Sequence, residues 1–170
     1  QRHLTIPCEM CIRDRVMKIA ESYRPDAVIH TAAMTQVDDC EDQRELCWNL
    51  NVDAVANWIE ACKSVNAHLV HVSTDFIFDG LHGPYTEEAV AAPLSYYGES
   101  KLEAEKLVLD SGISASIIRT VLVYGIAEDM SRSNIVLWAK GALEKQQPIK
   151  VVDDQFRTPT LAEDLAMGCY

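Results

Sequence analysis

Three short apolar runs punctuate this chain: Ala27-Val28-Ile29-His30, Leu69-Val70-His71-Val72 and Ser116-Ile117-Ile118-Arg119. Such runs suit strands buried on both faces of a parallel sheet. Between them lie stretches with helical spacing. Val16, Ile19, Ala20 and Tyr23 share one side of a helix over 16–23, and Arg24-Pro25-Asp26 ends it. A loop is expected through Asp38. Leu46, Leu50, Val55, Trp58, Ile59 and Cys62 mark a long helix over 43–65. A third helix is expected over 95–109, with Gly112 as its C-terminal cap. Glycine and proline between Phe76 and Ala92 mark turns, followed downstream by a helix over 134–144, a short strand at Ile149–Val152 and a helix from about Thr160. Strands alternating with helices predict an α/β fold, a parallel sheet with crossover helices.

Charge narrows the partners. The net charge of −11 disfavours nucleic acid, whose phosphates need a basic face. No run approaches the roughly 18 apolar residues of a membrane span, and the N-terminus lacks the apolar core of a secretory signal. The expected compartment is therefore cytoplasmic. Cys8 and Cys11 have CxxC spacing, but a structural zinc site needs four ligands and no second pair accompanies them, so no metal is expected. The remaining cysteines read as scattered reduced thiols, with Cys62 on a buried helix face. His30 and His71, inside strand-like runs, read as packed in the core or at strand ends rather than as ligands.

Tyr97 and Lys101 are four residues apart, a spacing that places two helical side chains on one face. Upstream, the run Leu69–Val72 ends in Ser73-Thr74-Asp75. A hydroxyl at a strand end, with a Tyr-x-x-x-Lys helix after it, suits delivery of a proton to a carbonyl oxygen. An ammonium near the phenol would lower the tyrosine pKa from about 10 toward neutrality, where general acid–base catalysis works best. Lys101, Glu103, Glu105 and Lys106 would occupy the wetter side of that helix. Ligands in such sheets sit beyond the carboxyl ends of the strands. Three polar clusters fall there: Thr31–Thr35, Ser73–Asp75 and Thr120–Tyr124.

The pattern of motifs resembles the extended short-chain dehydrogenase/reductase family and, within it, the dTDP-4-dehydrorhamnose reductase-like branch. The matching pieces are His30-Thr31-Ala32-Ala33-Met34-Thr35-Gln36-Val37-Asp38, Asn49-Leu50-Asn51-Val52, Ser73 through Gly80 and Pro93 through Lys101. Arg119-Thr120, Val123-Tyr124-Gly125 and Asp154 through Thr160 follow in family order. The resemblance implies a Rossmann-like doubly wound sheet and NAD(P)H-dependent reduction of a 4-keto sugar nucleotide. By the same resemblance Thr74, Tyr97 and Lys101 are catalytic. Ala33, Met34, Thr35, Val72, Tyr97 and Lys101 border an NADP or NAD cofactor, and Thr74, Asp75, Leu122 and Arg157 face the substrate. Arg157 could equally brace its own loop. Asn51 matches a position whose side chain more often holds backbone than touches substrate, and Arg119 reads as a strand-end ion pair or backbone ligand. A homodimer is compatible with the family pattern.

Two departures qualify the resemblance. Leu122 stands where rhamnose-pathway reductases commonly carry tryptophan, which puts the deoxyhexose in doubt but not the chemistry. No glycine precedes Gly80, so the glycine turn that holds a dinucleotide pyrophosphate is missing from this sequence, and with it the residue that chooses between NAD and NADP. The expectation is a fragment, truncated at both ends, inactive and weak in cofactor binding by itself. Residues 1–15 fit poorly with the pattern that begins at Val16 and are expected to be foreign or disordered, or else a divergent native segment; 16–170 then form a partial NAD(P)-binding domain with the start of a substrate lobe. Two rivals stay open. One is an epimerase or dehydratase of the same superfamily; Phe76 in place of an acid argues against the dehydratase. The other is a non-catalytic regulatory subunit like the methionine adenosyltransferase β subunit, which resembles the same branch.

Overall fold

The computed structural model of the chain describes residues 3–4 (backbone only), 13–126 and 135–170. Cys8, Cys11 and most of the doubtful segment 1–15 lie outside the described residues. The chain divides into two compact units, Gln1–Arg119 and Thr120–Tyr170.

In the first unit the strands are β1 (His3–Leu4), β2 (Ala27–His30), β3 (His68–Thr74) and β4 (Ala115–Thr120, its last residue at the unit boundary), in the spatial order β1-β2-β3-β4. The β1–β2 and β2–β3 pairs are parallel. All three apolar runs expected as strands are strands. At the β3–β4 edge the Leu69 amide donates to the Ser114 carbonyl at 3.0 Å, and the His68 ring lies between the hydroxyls of Ser114 and Ser116 at 2.7 and 3.0 Å.

Helix α1 (Arg13–Tyr23) precedes β2, and α2 (Val37–Asp42), α3 (Arg44–Trp48) and α4 (Ala54–Val65) lie between β2 and β3. The expected loop through Asp38 is thus too long, since Val37-Asp38-Asp39-Cys40 already opens α2. Its acidic residues sit in the first turn, where carboxylates favour the helix dipole. The long helix expected over 43–65 runs from Arg44 to Val65 but is not uniform. Asn49–Asp53 form a π-turn between α3 and α4. Asn66 ends α4 in the left-handed conformation at φ 57°, donating its amide to Cys62, a role asparagine takes readily.

Helix α5 (Tyr96–Asp110) starts at Ser95, whose Oγ accepts from the Gly98 amide at 3.2 Å. Gly112 follows its end with φ +67°. Helix α4 packs against α1 and α5, and the three cover one face of the sheet. The core between them is Val16 and Ala20 of α1, Val28, Leu69, Val55, Trp58, Ala61 and Cys62, with Ala104 and Val108 of α5. The sheet and the helices form two layers because the apolar face of each is buried against the other.

The second unit contains β5 (Leu122–Tyr124), α6 (Ile135–Glu144), β6 (Pro159–Leu161) and α7 (Ala162–Cys169). Strands β5 and β6 pair in parallel, Leu122 opposite Pro159. Ile149–Val152 is not a strand, contrary to expectation. Val151 and Val152 are exposed, and β propensity without a neighbouring strand to pair with does not make a ladder. Among the described residues no helix is long and apolar enough to cross a membrane.

Trp58 is the largest fully buried side chain of the first core. Trp58→Ala should destabilise the chain by about 3–5 kcal/mol, read as a lowered urea midpoint with an unchanged slope. A loss below about 1 kcal/mol would mean that this core is not the main source of stability.

Candidate functional site

The buried face of α5 carries Tyr97, Gly98, Ser100, Lys101, Ala104, Glu105 and Val108. Tyr97 and Lys101 therefore share one face, as the spacing predicted. Lys101 and Glu105, however, are 3 % and 1 % exposed, not on the wetter side. Glu103 and Lys106 do face water and pair with each other at 3.1 Å. Two charged side chains turn inward because each meets a partner. Glu105 receives Arg119 through three hydrogen bonds of 2.7 to 3.2 Å, a charge-assisted fork geometry. Lys101 Nζ donates to the Val72 carbonyl at 2.7 Å and lies 3.4 Å from His71 Nε2. Arg119 also donates to the Glu87 carbonyl at 2.8 Å, so it is both ion pair and backbone ligand.

At the end of β3, Thr74 Oγ1 accepts from the Phe76 amide at 3.2 Å and caps a tight turn over Asp75–Ile77. The same hydroxyl donates to Asp75 Oδ1 at 3.2 Å and lies close enough to the Tyr97 phenol to pull its pKa down. Thr74 and Tyr97 thus meet at the strand end, with Lys101 one turn along the helix. The Phe76 ring meets the Tyr97 ring edge-on, centroids 5.6 Å apart.

Gly98 is what lets these pieces approach. A Cβ there would collide with the Phe76 carbonyl and crowd Pro93. The sequence flagged Gly98 only as part of a motif; the packing gives its reason, a turn pressed onto the first turn of α5.

The loop after β2 is held by Asn51. Its Oδ1 accepts from the Met34 amide at 2.8 Å, and its Nδ2 donates to the Met34 carbonyl at 3.0 Å and to Ser100 Oγ at 3.0 Å. Ser100 in turn donates to the Tyr97 carbonyl at 2.7 Å. Asn51 therefore holds backbone, as read from sequence. It does so from within the π-turn, a helix irregularity often found at functional sites. Ala33 and Met34 are half-buried here and Thr35 is exposed. Cys40 and Cys47 are not scattered: both are fully buried free thiols that interact with each other behind Tyr97. Neither these nor Ser100 was singled out in the sequence as part of the site, because a buried thiol or serine leaves no periodic signal of its own.

Leu122 and Arg157 belong to the second unit. Leu122 opens β5 and is partly buried. Arg157 is exposed and donates to Gln155 Oε1 at 3.3 Å. Among the described residues no cluster of His, Cys, Asp and Glu could hold a metal ion.

Electrostatics corrects one expectation. The Tyr97 phenol sits above its ordinary pKa, not below it, because burial disfavours the phenolate and the neighbouring Cys40, Asp75 and Cys47 add to that. Only the Thr74 hydrogen bond pulls the other way. The lysine is itself weakened: burial lowers its pKa to about 8, against the opposing pull of Glu105. His30 is lowered to about 4, by burial first and the Lys101 charge second. Cys62 is pushed up to about 12 by burial.

The sequence profile of the RmlD substrate binding domain matches residues 6–170. The chain belongs to that family. It is 34 % identical over 155 residues to the dTDP-4-dehydrorhamnose reductase of Aggregatibacter actinomycetemcomitans, covering 91 % of this chain and 51 % of that protein. It is 33 % identical over 154 residues to methionine adenosyltransferase 2 subunit beta of Pongo abelii, covering 91 % of this chain and 46 % of that protein. The crystal structure of dTDP-4-dehydrorhamnose reductase from Bacillus anthracis in complex with NADP superposes with a TM-score of 0.86 at 32 % identity, covering 94 % of this chain and 56 % of that one. The chain thus spans about half the length of the curated relatives it matches. The RmlD family assignment agrees with the resemblance read from the motifs and with the α/β fold of parallel strands.

The buried histidines make stability depend on pH. A histidine with folded pKa about 4 against an ordinary 6.5 leaves the native state unpenalised above pH 6.5. As pH falls from 6.5 to 4 the unfolded chain takes up the proton and stability is lost, by roughly 3 kcal/mol for His30. Urea titrations from pH 7 to pH 4 should show that decline, and His30→Phe should make it shallower while leaving the part that the fully buried His71 contributes. A wild-type profile already flat across this range would contradict burial of the neutral ring.

Proposed function

We propose that the whole protein carrying this chain is a nicotinamide-dependent reductase of a 4-keto sugar nucleotide. The observation that carries the reading is the placing of the Thr74 hydroxyl beside the Tyr97 phenol at the end of β3, with Lys101 on the same buried helix face as Tyr97. Thr74 orients the carbonyl oxygen of the substrate. Tyr97 gives up its proton to that oxygen, and its raised pKa suits the role of a proton donor that stays protonated at neutral pH. Asp75 orders the Thr74 hydroxyl. Leu122 and Arg157 are assigned to the substrate from the family pattern alone, and the Arg157 bond to Gln155 equally suits a brace of its own loop.

The donor set fits the nicotinamide end of NADP or NAD. Hydroxyls and a buried ammonium suit a ribose diol and a carboxamide, and the Met34 peptide is fixed at both ends where the ring would border it. Lys101, Tyr97, Val72, Ala33, Met34 and Thr35 would hold the cofactor there, and it supplies hydride when bound. The Bacillus anthracis relative holds NADP, which supports a dinucleotide without choosing it for this protein.

A second reading rests on a specific observation. Relatives of comparable identity include methionine adenosyltransferase 2 β subunits as well as a reductase. The presence of Thr74, Tyr97 and Lys101 together favours the enzyme. The regulatory reading predicts binding to a methionine adenosyltransferase catalytic subunit and no reduction of sugar nucleotides.

In the whole protein, Tyr97→Phe should lower turnover with a 4-keto sugar nucleotide roughly 10²- to 10⁴-fold, with little change in cofactor binding measured by calorimetry. A phenylalanine variant that turns over like the wild type removes Tyr97 from the chemistry.

A further inference from the structure

Behind Lys101 stands a pair of histidines whose burial ordinary core packing does not require. His30 and His71 are register partners on β2 and β3. Their rings stack with centroids 5.9 Å apart and planes 15° from parallel. Trp58 leans on His30 at 6.4 Å. His71 is fully buried and His30 nearly so. Among the described residues His71 Nδ1 and His30 Nε2 find no hydrogen-bond partner. An apolar side chain would fill these places without leaving a buried ring nitrogen unpaired, which is unfavourable. Among the described residues the short polar contact of the His71 ring is with Lys101, Nε2 to Nζ at 3.4 Å.

That contact fixes the chemistry of the ring. An ammonium has three N–H donors and no acceptor. The nitrogen facing it must therefore offer a lone pair, which places the imidazole proton on Nδ1. A protonated ring would set two cations against each other in a buried site. The groups facing Lys101 are His71 from β3, His30 from β2, Cys47 from α3 and Glu105 from α5, the last held by Arg119 of β4. Of these, His71 approaches within hydrogen-bonding reach of Nζ, beside the Val72 carbonyl.

We propose that His71 is a positioning residue for Lys101: its neutral Nε2 accepts one N–H of the ammonium while the Val72 carbonyl accepts another, leaving the third for the site. The contact itself needs no assumption about the reaction. Only the use of the third N–H rests on the reductase reading.

The whole protein, labelled with ¹⁵N-histidine and ¹³Cε-lysine, tests this without an assay of turnover. At pH 7 the wild-type His71 should show an unprotonated Nε2 and a protonated Nδ1. A proton on Nε2 overturns the proposal, and this readout needs no variant to fold. His71→Phe keeps the ring and its stack but removes the acceptor. It should lower the Lys101 titration midpoint by about one pH unit, as expected when a hydrogen bond to a charged group is lost. His71→Gln, which restores an acceptor oxygen, should recover most of that shift, and the alkaline limb of the turnover–pH profile should move with the midpoint. An unchanged midpoint in His71→Phe, or equal falls in both variants, overturns the proposal. Lys101→Met assigns the lysine signal and separates the two ideas. If it keeps full turnover, the reading of Lys101 as catalytic falls while the tautomer and midpoint results still judge His71.

Discussion

Asn51 grips the Met34 peptide by its N–H and its C=O and reaches Ser100 with the same amide nitrogen. A buried backbone group must find a partner or forfeit roughly 1–3 kcal/mol. The loop after β2 has no strand to satisfy it, and the Asn51 side chain does so from the neighbouring helix, with Cys40 Sγ also donating to the Met34 carbonyl at 3.6 Å. Ser100 passes the restraint on to the Tyr97 carbonyl. The loop behind the proposed nicotinamide site and the first turn of α5 are thereby fixed relative to each other. An amide can do this because it is donor and acceptor at once; a carboxylate or an alkyl group of the same size could not satisfy both ends of the peptide.

The other buried polar groups on α5 obey a related logic. Glu105 answers the fork of Arg119, and Lys101 answers a carbonyl and an imidazole. Removing one member of such a set leaves a buried charge uncompensated, a loss of about 3–5 kcal/mol, although the intact pair adds little net stability. Charge is kept in this core for orientation. Arg119 shows the mechanism plainly, since one guanidinium ties α5 to the Glu87 carbonyl in the loop after β3. The Phe78 and Tyr85 rings stack within that loop at 4.4 Å, and Arg119 lies over Phe78.

Much of this was legible in residue order. The strand runs were readable because a parallel strand buried on both faces is continuously apolar, and the Tyr97–Lys101 pair because helical spacing is fixed. What was misread has physical causes. Lys101 and Glu105 were assigned to water because charge usually prefers it; their partners, Val72 and Arg119, are distant in sequence. Only the first two residues of α2, Val37 and Asp38, fell in the expected loop, and the helix went unmarked because Val37-Asp38-Asp39-Cys40-Glu41-Asp42 is mostly polar. Ile149–Val152 had strand composition but no strand beside it. The π-turn had no signature at all, because Asn49-Leu50-Asn51-Val52-Asp53 reads as ordinary helix and only the tertiary demand on Asn51 distinguishes it.

That π-turn has a consequence for how the family chain tolerates change in length. A π-turn holds one residue more per turn than an α-helix, and each residue of an α-helix advances the azimuth by about 100°. Loss of a single residue within 49–53 would let the helix regularise with its hydrogen bonds intact and its apolar face still serviceable. Because the extra residue is taken up within that one wide turn, the phase on either side would be kept, but the wide turn that presents Asn51 would be gone, and the Met34 backbone would lose its amide partner. The helix would survive as a helix while the strand-end loop came adrift, so the wide turn is better regarded as a mount for one side chain, Asn51, than as a defect in the helix.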